Sequence, residues 1–195
     1  MPAFVPTVRR VWVRYTRRLQ LEPIGPRHAS DLWLLHQDDG IAQWYAGRWS
    51  RESAAETAAA MGRAWRADGV HKWIAYRRDT GELVGRGGLS YTDVLGARRL
   101  EVGWAVIGPM RGQGFATEIG RAGLGFAFGE LGAEEVVAFT ESHNRRSRAV
   151  MERLGMGYAG EILLPGLVEG QVGVHEAAPF ALYVVDSAKG TDHSF

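Results

Sequence analysis

Apolar residues recur along the chain in two periods, and the switches between them mark out the elements. Over residues 16–24, Leu19 and Leu21 alternate with polar neighbours until Pro23 intervenes, the period of a half-buried strand. Residues 26–37 turn to helical spacing, with Leu32, Leu35 and His36 on one side. A longer helix is predicted over 51–67, where Ala54, Thr57, Ala58, Met61 and Trp65 keep one face. Ser50 is its N-cap and Gly69 its stop. Three strands follow, at 71–77, 82–91 and 98–107. The first two are joined by Arg78-Asp79-Thr80-Gly81, which has the chemistry of a hairpin turn. A glycine-containing loop over 111–114 leads into a helix at 116–130, and 135–140 reads as a short buried strand. Asn144 caps a further helix that ends at Gly155, and two strands near 158–164 and 180–185 complete the chain. Strands first, then an embedded strand–helix–strand–helix segment, predict a single α+β (mixed α/β) domain.

Composition narrows the function classes. The 195 residues hold no cysteine, which excludes a disulfide framework, a thiolate nucleophile and a Cys-ligated zinc. The six histidines show no ligand spacing, so no metal is expected. A net charge of +1 argues against a dedicated nucleic-acid binder, which needs a clustered basic excess. No apolar run approaches the ~18–20 residues of a membrane span, and no signal-peptide core follows the first basic residues. A cytoplasmic protein is expected. The charge is uneven, however. Arg9, Arg10, Arg14, Arg17 and Arg18 fall in the first 18 residues with no acid among them. We therefore divide the chain into a basic arm at 1–15, a domain at 16–188 and a tail at 189–195. The arm is either a contact for an anionic surface, a partly disordered tail, or the result of a start placed upstream of the true one.

The densest chemistry lies in Gly108-Pro109-Met110-Arg111-Gly112-Gln113-Gly114-Phe115-Ala116-Thr117-Glu118. Glycines just ahead of a helix let a ligand approach the backbone, and the first-turn N–H groups then favour an anion such as a pyrophosphate. A simple strand-to-helix turn would need the same glycines. A dinucleotide fingerprint fails because Thr117 stands at its last position. A P-loop fails because no Lys-Ser/Thr follows Gly112.

Arg111-x-x-Gly114-x-Ala116 resembles the acyl-CoA loop of the GCN5-related N-acetyltransferases, the GNAT superfamily. The preceding Leu100-Glu101-Val102-Gly103-Trp104-Ala105-Val106 and Pro109 are similar to that family's fourth strand and loop entry. Asn144-x-x-Ser147-x-x-x-Met151-x-x-Leu154-Gly155-Met156 resembles its later helix. The branch it looks most like is the RimJ/RimL-like group of ribosomal-protein N-acetyltransferases.

The resemblance implies a central, mostly antiparallel twisted sheet flanked by helices and splayed between its fourth and fifth strands. It implies acetyl-CoA as cosubstrate. Backbone amides of Arg111, Gly112, Gln113, Gly114, Phe115, Ala116 and Thr117 would hold the pyrophosphate. The main chain of Ala105, Val106 and Ile107 would pair with the pantetheine arm, and Asn144 would contact that arm or act purely as a cap. Glu101 matches the branch's proposed base, or else partners Arg98 or Arg99. The usual acid, a Tyr, is replaced by Met151, and Ser147 stands where the branch places a hydroxyl. Trp44, Tyr45 and Trp49 would form a wall of the acceptor pocket or fill the core. The expected reaction is acetyl transfer to a primary amine, of a protein N-terminus or a small molecule, by direct attack in a ternary complex. A non-catalytic acyl-CoA-binding domain and a succinyl-CoA-type donor are the alternatives. The family also makes a homodimer plausible.

Overall fold

The structure is a computed structural model that describes residues 12–190. In chain order its strands are β1 (Arg14–Tyr15), β2 (Leu19–Pro23), β3 (Lys72–Arg77), β4 (Leu83–Val94), β5 (Ala97–Val106), β6 (Glu135–Glu141), β7 (Gly157–Leu167) and β8 (Val174–Asp186). Its helices are α1 (Ala29–Leu35), α2 (Asp39–Ala42), α3 (Arg51–Asp68), α4 (Phe115–Gly129), α5 (Arg145–Arg153) and α6 (Ser187–Gly190). The predicted caps form. Ser50 accepts a hydrogen bond from the Ser53 amide, and Gly69 ends α3 in the left-handed conformation.

The eight strands form one sheet in the order β1-β2-β3-β4-β5-β6-β8-β7. Every neighbouring pair is antiparallel except β5 and β6. Those two run parallel and meet at a single register pair, Glu101 with Val137. Beyond it β5 continues to Val106 and β6 to Glu141 without pairing to each other, so the sheet opens into a V. This is the expected splay; the two-residue β1 shifts the strand count by one.

Each face has its own core. On one, Trp73, Leu89, Val102, Ile119 and Met151 pack beneath α4 and α5. On the other, Ile24, Leu32, Leu35, Ala58 and Ile74 pack beneath α1 and α3. The glycines of α4 do not break the helix. A Cβ on Gly120 would lie 2.5 Å from the Leu154 side chain, so glycine here lets α5 come close.

The arm does not end where the sequence pattern places it. Trp12 packs on Trp65 with ring centroids 5.5 Å apart, and its carbonyl accepts from the Trp73 indole at 3.1 Å. Arg14 sits over the Phe126 ring at 4.1 Å and forms a two-pronged ion pair with Glu130. Residues 12–15 are thus docked across α3, β3 and α4, while Arg9 and Arg10 lie outside the described residues. The polar–apolar alternation was too short there to reveal a two-residue strand. Deleting residues 1–15 should cost about 2 kcal/mol more than deleting 1–11, mainly through the lost Trp12 contact and the stranded Trp73 N–H. Equilibrium urea unfolding of the two truncations checks this.

Candidate active site

The end of β5 runs into a short 3-10 turn, Gly108–Met110, and then into the glycine loop. Gly112 and Gly114 take φ of 75° and 81°, a region that favours glycine, and a Cβ on Gly112 would meet nothing. Gly114 caps α4, and its carbonyl takes the Glu118 amide at 3.0 Å. The Arg111 amide is used inside the turn, donating to the Gly108 carbonyl at 3.1 Å. The N–H groups of Gly112, Gln113, Gly114, Phe115, Ala116 and Thr117 have no acceptor among the described residues. The run of free amides therefore begins one residue later than the sequence motif implies. It lies at the positive end of a 15-residue helix, which suits an anion. The side chains of Phe115 and Thr117 are buried, so only their backbone faces outward.

Two polar clamps hold this loop. Asp38, just ahead of α2, accepts from the Gly108 amide at 2.7 Å and from the Arg111 guanidinium. Arg111 also donates to the Val106 carbonyl at 2.9 Å. Burial opposes ionisation of Asp38, but the Gly108 amide and Arg111 outweigh it and hold the carboxyl below its usual value. On the other side, Arg18 donates to Glu118 at 2.7 Å and to the Gln113 carbonyl at 2.9 Å, and stacks over Phe115. Arg111 is thus a positioning residue through its side chain.

The strand leading to the loop divides its backbone between two sides. Ile107 donates to Val84 at 3.1 Å, so the alternation of an antiparallel ladder turns Ala105 toward β4 as well. Val106 and Trp104 then present their main-chain groups to the open side of the V. Of the three residues expected to line that edge, Val106 alone faces it, and its carbonyl already receives Arg111.

Glu101 lies at the vertex of the V, on the face covered by α1 and α3. Its partner is neither Arg98, which pairs with Asp68, nor Arg99, which pairs with Glu135. It is the buried Lys72, whose ammonium donates to Glu101 Oε2 at 3.0 Å and to the Gly88 carbonyl at 3.1 Å. Ser90 donates to the same oxygen at 3.0 Å, while Oε1 has no hydrogen-bond partner among the described residues. Burial pushes the Lys72 ammonium below the usual lysine range, against the pull of Glu101.

The aromatic residues after α1 are partly in the core and partly at its margin. His36 is fully buried, stacks on Trp49 with centroids 3.4 Å apart, and meets the edge of Tyr45 at 4.8 Å. Burial, then the charge of Arg86, lowers His36 to about 3, so it is neutral at ordinary pH. Arg86 lies near Tyr45 and Trp49, at 5.0 and 5.9 Å from their ring centres. Trp44 instead tilts against His143, 5.3 Å away, beside α5. The three predicted wall residues thus share one region, with Trp44 reaching across to the α5 side.

On α5, Asn144 accepts from the Ser147 amide at 3.2 Å and is an N-cap. Val150, Met151 and Leu154 are buried, and Ser147 is half-buried on the same stripe, as the helical spacing predicts. Met151 is a core residue. Arg148 and Glu152 both bond the Tyr183 hydroxyl, at 3.2 and 3.1 Å. Lys72, Arg86 and Asp38 were missed by sequence reasoning, and His36 was placed on a helix face without a role. Only pattern on β3 and β4 could have flagged the first two, as charges inside otherwise apolar strands.

The matched family model is the acetyltransferase (GNAT) domain, over residues 18–157, most of the chain. The chain belongs to the GNAT acetyltransferase family. Like its members, it is an N-acetyltransferase that uses acetyl-CoA. The FsC-acetyl coenzyme A-N(2)-transacetylase of Aspergillus fumigatus is 31% identical over 173 residues, 81% of this chain and 73% of that protein. Among solved structures, a GNAT-family acetyltransferase of Bordetella pertussis shares the fold with a TM-score of 0.73 at 22% identity, covering 88% of this chain and 98% of that one. The spermidine N-acetyltransferase of Vibrio cholerae, solved with CoA and spermine, gives a TM-score of 0.70 at 14% identity, covering 90% and 99%.

The Asp38 clamp has a pH signature. Because the folded-state carboxyl is held below its ordinary value of 3.8, its stabilisation is complete above that value and is lost as pH falls through the folded pKa. Asp38→Asn should destabilise the protein by about 1–3 kcal/mol at pH 7. The gap between the two proteins should narrow below about pH 4, followed by urea unfolding across that range.

Proposed function

We propose that this acetyltransferase moves the acetyl group of acetyl-CoA to a primary amine by direct attack in a ternary complex. The observation that carries the proposal is the run of free amides from Gly112 to Thr117 at the start of α4, beside an unpaired β5 edge. A pyrophosphate on those amides places the pantetheine arm along the Val106 and Trp104 main chain, within the V. Asn144 and Ser147 stand at the start of α5, behind the opposite arm of the V.

The amine nitrogen attacks the thioester carbonyl, a C–N bond forms, and the C–S bond breaks as the intermediate collapses. The amine proton passes to Glu101, directly or through water, by way of the free Oε1. Lys72 orients that carboxylate through Oε2. The Ser147 hydroxyl donates a hydrogen bond to the departing sulfur, in place of the tyrosine that Met151 replaces. With no cysteine in the chain, a thiol-bound acyl intermediate has no candidate residue. Orientation of amine against thioester supplies much of the remaining rate.

The Glu101 and Ser147 positions support the RimJ/RimL-like branch, and with it an acceptor that is a protein N-terminus or a small amine. Trp44, Tyr45 and Trp49 form the acceptor wall. The free edge of β7, where Leu163 is 65% exposed, supports a homodimer. Glu101→Gln should lower kcat/KM about 100-fold and flatten its rise with pH, and Ser147→Ala about 10-fold at unchanged acetyl-CoA affinity. Steady-state turnover over a broad amine panel, with calorimetric binding of acetyl-CoA, tests both. An unchanged rate and pH profile in Glu101→Gln removes the base assignment.

A further inference from the structure

Arg86 is the one described arginine that is buried yet has no acid. Its residue exposure is 7%, it forms no salt bridge, and none of its side-chain nitrogens has a hydrogen-bond acceptor among the described residues. Its Nε is fully enclosed and unpartnered. A guanidinium in that state is unusual, because buried charges are normally paired. Its surroundings do not neutralise it. Lys72 is a second cation, already held by the single carboxylate of Glu101. The two nearby histidines are kept neutral: His36 near 3, and His71 near 4 by burial and then by Lys72 and Arg86. The cluster therefore carries one uncompensated positive charge on the α1 and α3 side of the sheet.

The aromatic neighbours do not cancel it either. Tyr45 and Trp49 lie near the guanidinium at 5.0 and 5.9 Å, and both nitrogens of the buried His36 that contacts them have no hydrogen-bond partner among the described residues. Arg86 pairs across the ladder with Ala105, and Glu101 stands four residues back along the same strand and the same face. The two registers are about 13 Å apart along the strand, so the long Arg86 and Glu101 side chains rise from the same face of the sheet.

We infer that Arg86 is the anchor for a carboxylate on the acceptor, and that the acceptor is a small amino carboxylate such as a free α-amino acid. The inference rests on the acetyl-transfer role proposed for the same cleft, and narrows it. One surplus charge matches a monovalent carboxylate; a phosphate dianion would call for a second free cation, and Lys72 is committed. A planar carboxylate also fits the two-pronged donor geometry of a guanidinium. A peptide N-terminus carries a neutral amide where a free amino acid carries its carboxylate, and leaves Arg86 unpaired.

The test uses the full-length protein, acetyl-CoA, and matched acceptors: apolar and aromatic α-amino acids, the carboxamide of each, and short peptides. Rates are compared at equal concentration of free amine. The acids should exceed their carboxamides in kcat/KM by about 10- to 100-fold, the value of a charge-assisted bond. Arg86→Met should bring that ratio close to one, and Arg86→Lys should restore part of it. Arg86→Met should melt no lower than the parent protein, since it removes an unpaired buried charge; should it fail to fold, Arg86→Lys and Arg86→Gln carry the comparison. A ratio near one in the parent protein, a ratio that survives Arg86→Met, or a preference for peptides overturns the inference. If no amine is turned over, acetyl transfer fails on its own account. Equilibrium titration of the same acid and carboxamide pairs, with CoA present, then decides. Binding of acids alone, abolished by Arg86→Met, supports the anchor; no binding of acids overturns it.

Discussion

The interaction on which the site depends is a strand pairing that stops. β5 and β6 share one register pair, and past it their backbones part. Two helices make this tolerable, since α4 and α5 cover one face of the two diverging strands with a continuous apolar core. The parting leaves main-chain donors and acceptors of β5 unsatisfied by the sheet, in the place where α4 begins with free amides. Unpaired backbone groups are costly when dry, so such an opening persists where water or a ligand can meet them. One topological choice, a parallel junction inside an antiparallel sheet, thus leaves both an open strand edge and a run of free amides at its mouth.

Around this opening, rigidity comes from polar clamps that bridge distant parts of the sequence. Asp38 and Arg111 tie the start of α2 to the loop, and Thr16, Arg18 and Glu118 tie the first strands to the start of α4. These groups are partly buried, so their bonds are stronger than surface pairs and less screened. The loop glycines remain free to expose their amides because side-chain clamps, with the turn at Gly108–Arg111, hold the loop's shape.

Much of the fold was legible because its elements are long and periodic. The α3 face, the β3–β4 hairpin and the Asn144–Gly155 helix follow from spacing and caps alone. The short pieces were not: β1 and α2 are too brief for a period to register, and both are held by tertiary contacts. The site was legible where it is local in sequence, as in Gly112 and Gly114 ahead of α4. It was not legible where it is assembled across strands. Glu101 was singled out from its strand, with Arg98 or Arg99 as its alternative partners, because only strand register brings Lys72 and Ser90 to it. Arg86 shows locally only as a charge inside an otherwise apolar strand; its significance lies in what fails to surround it.

The burial of Lys72 has a consequence for the protein's own safety. Arginine outnumbers lysine on this chain by 21 to 2, and guanidinium groups stay protonated at working pH, so they do not attack thioesters. One of the two lysines is enclosed at 7% exposure with its ammonium committed to Glu101 and Gly88. An enzyme that keeps a reactive acyl donor beside its own surface has thereby left itself few targets for self-acylation.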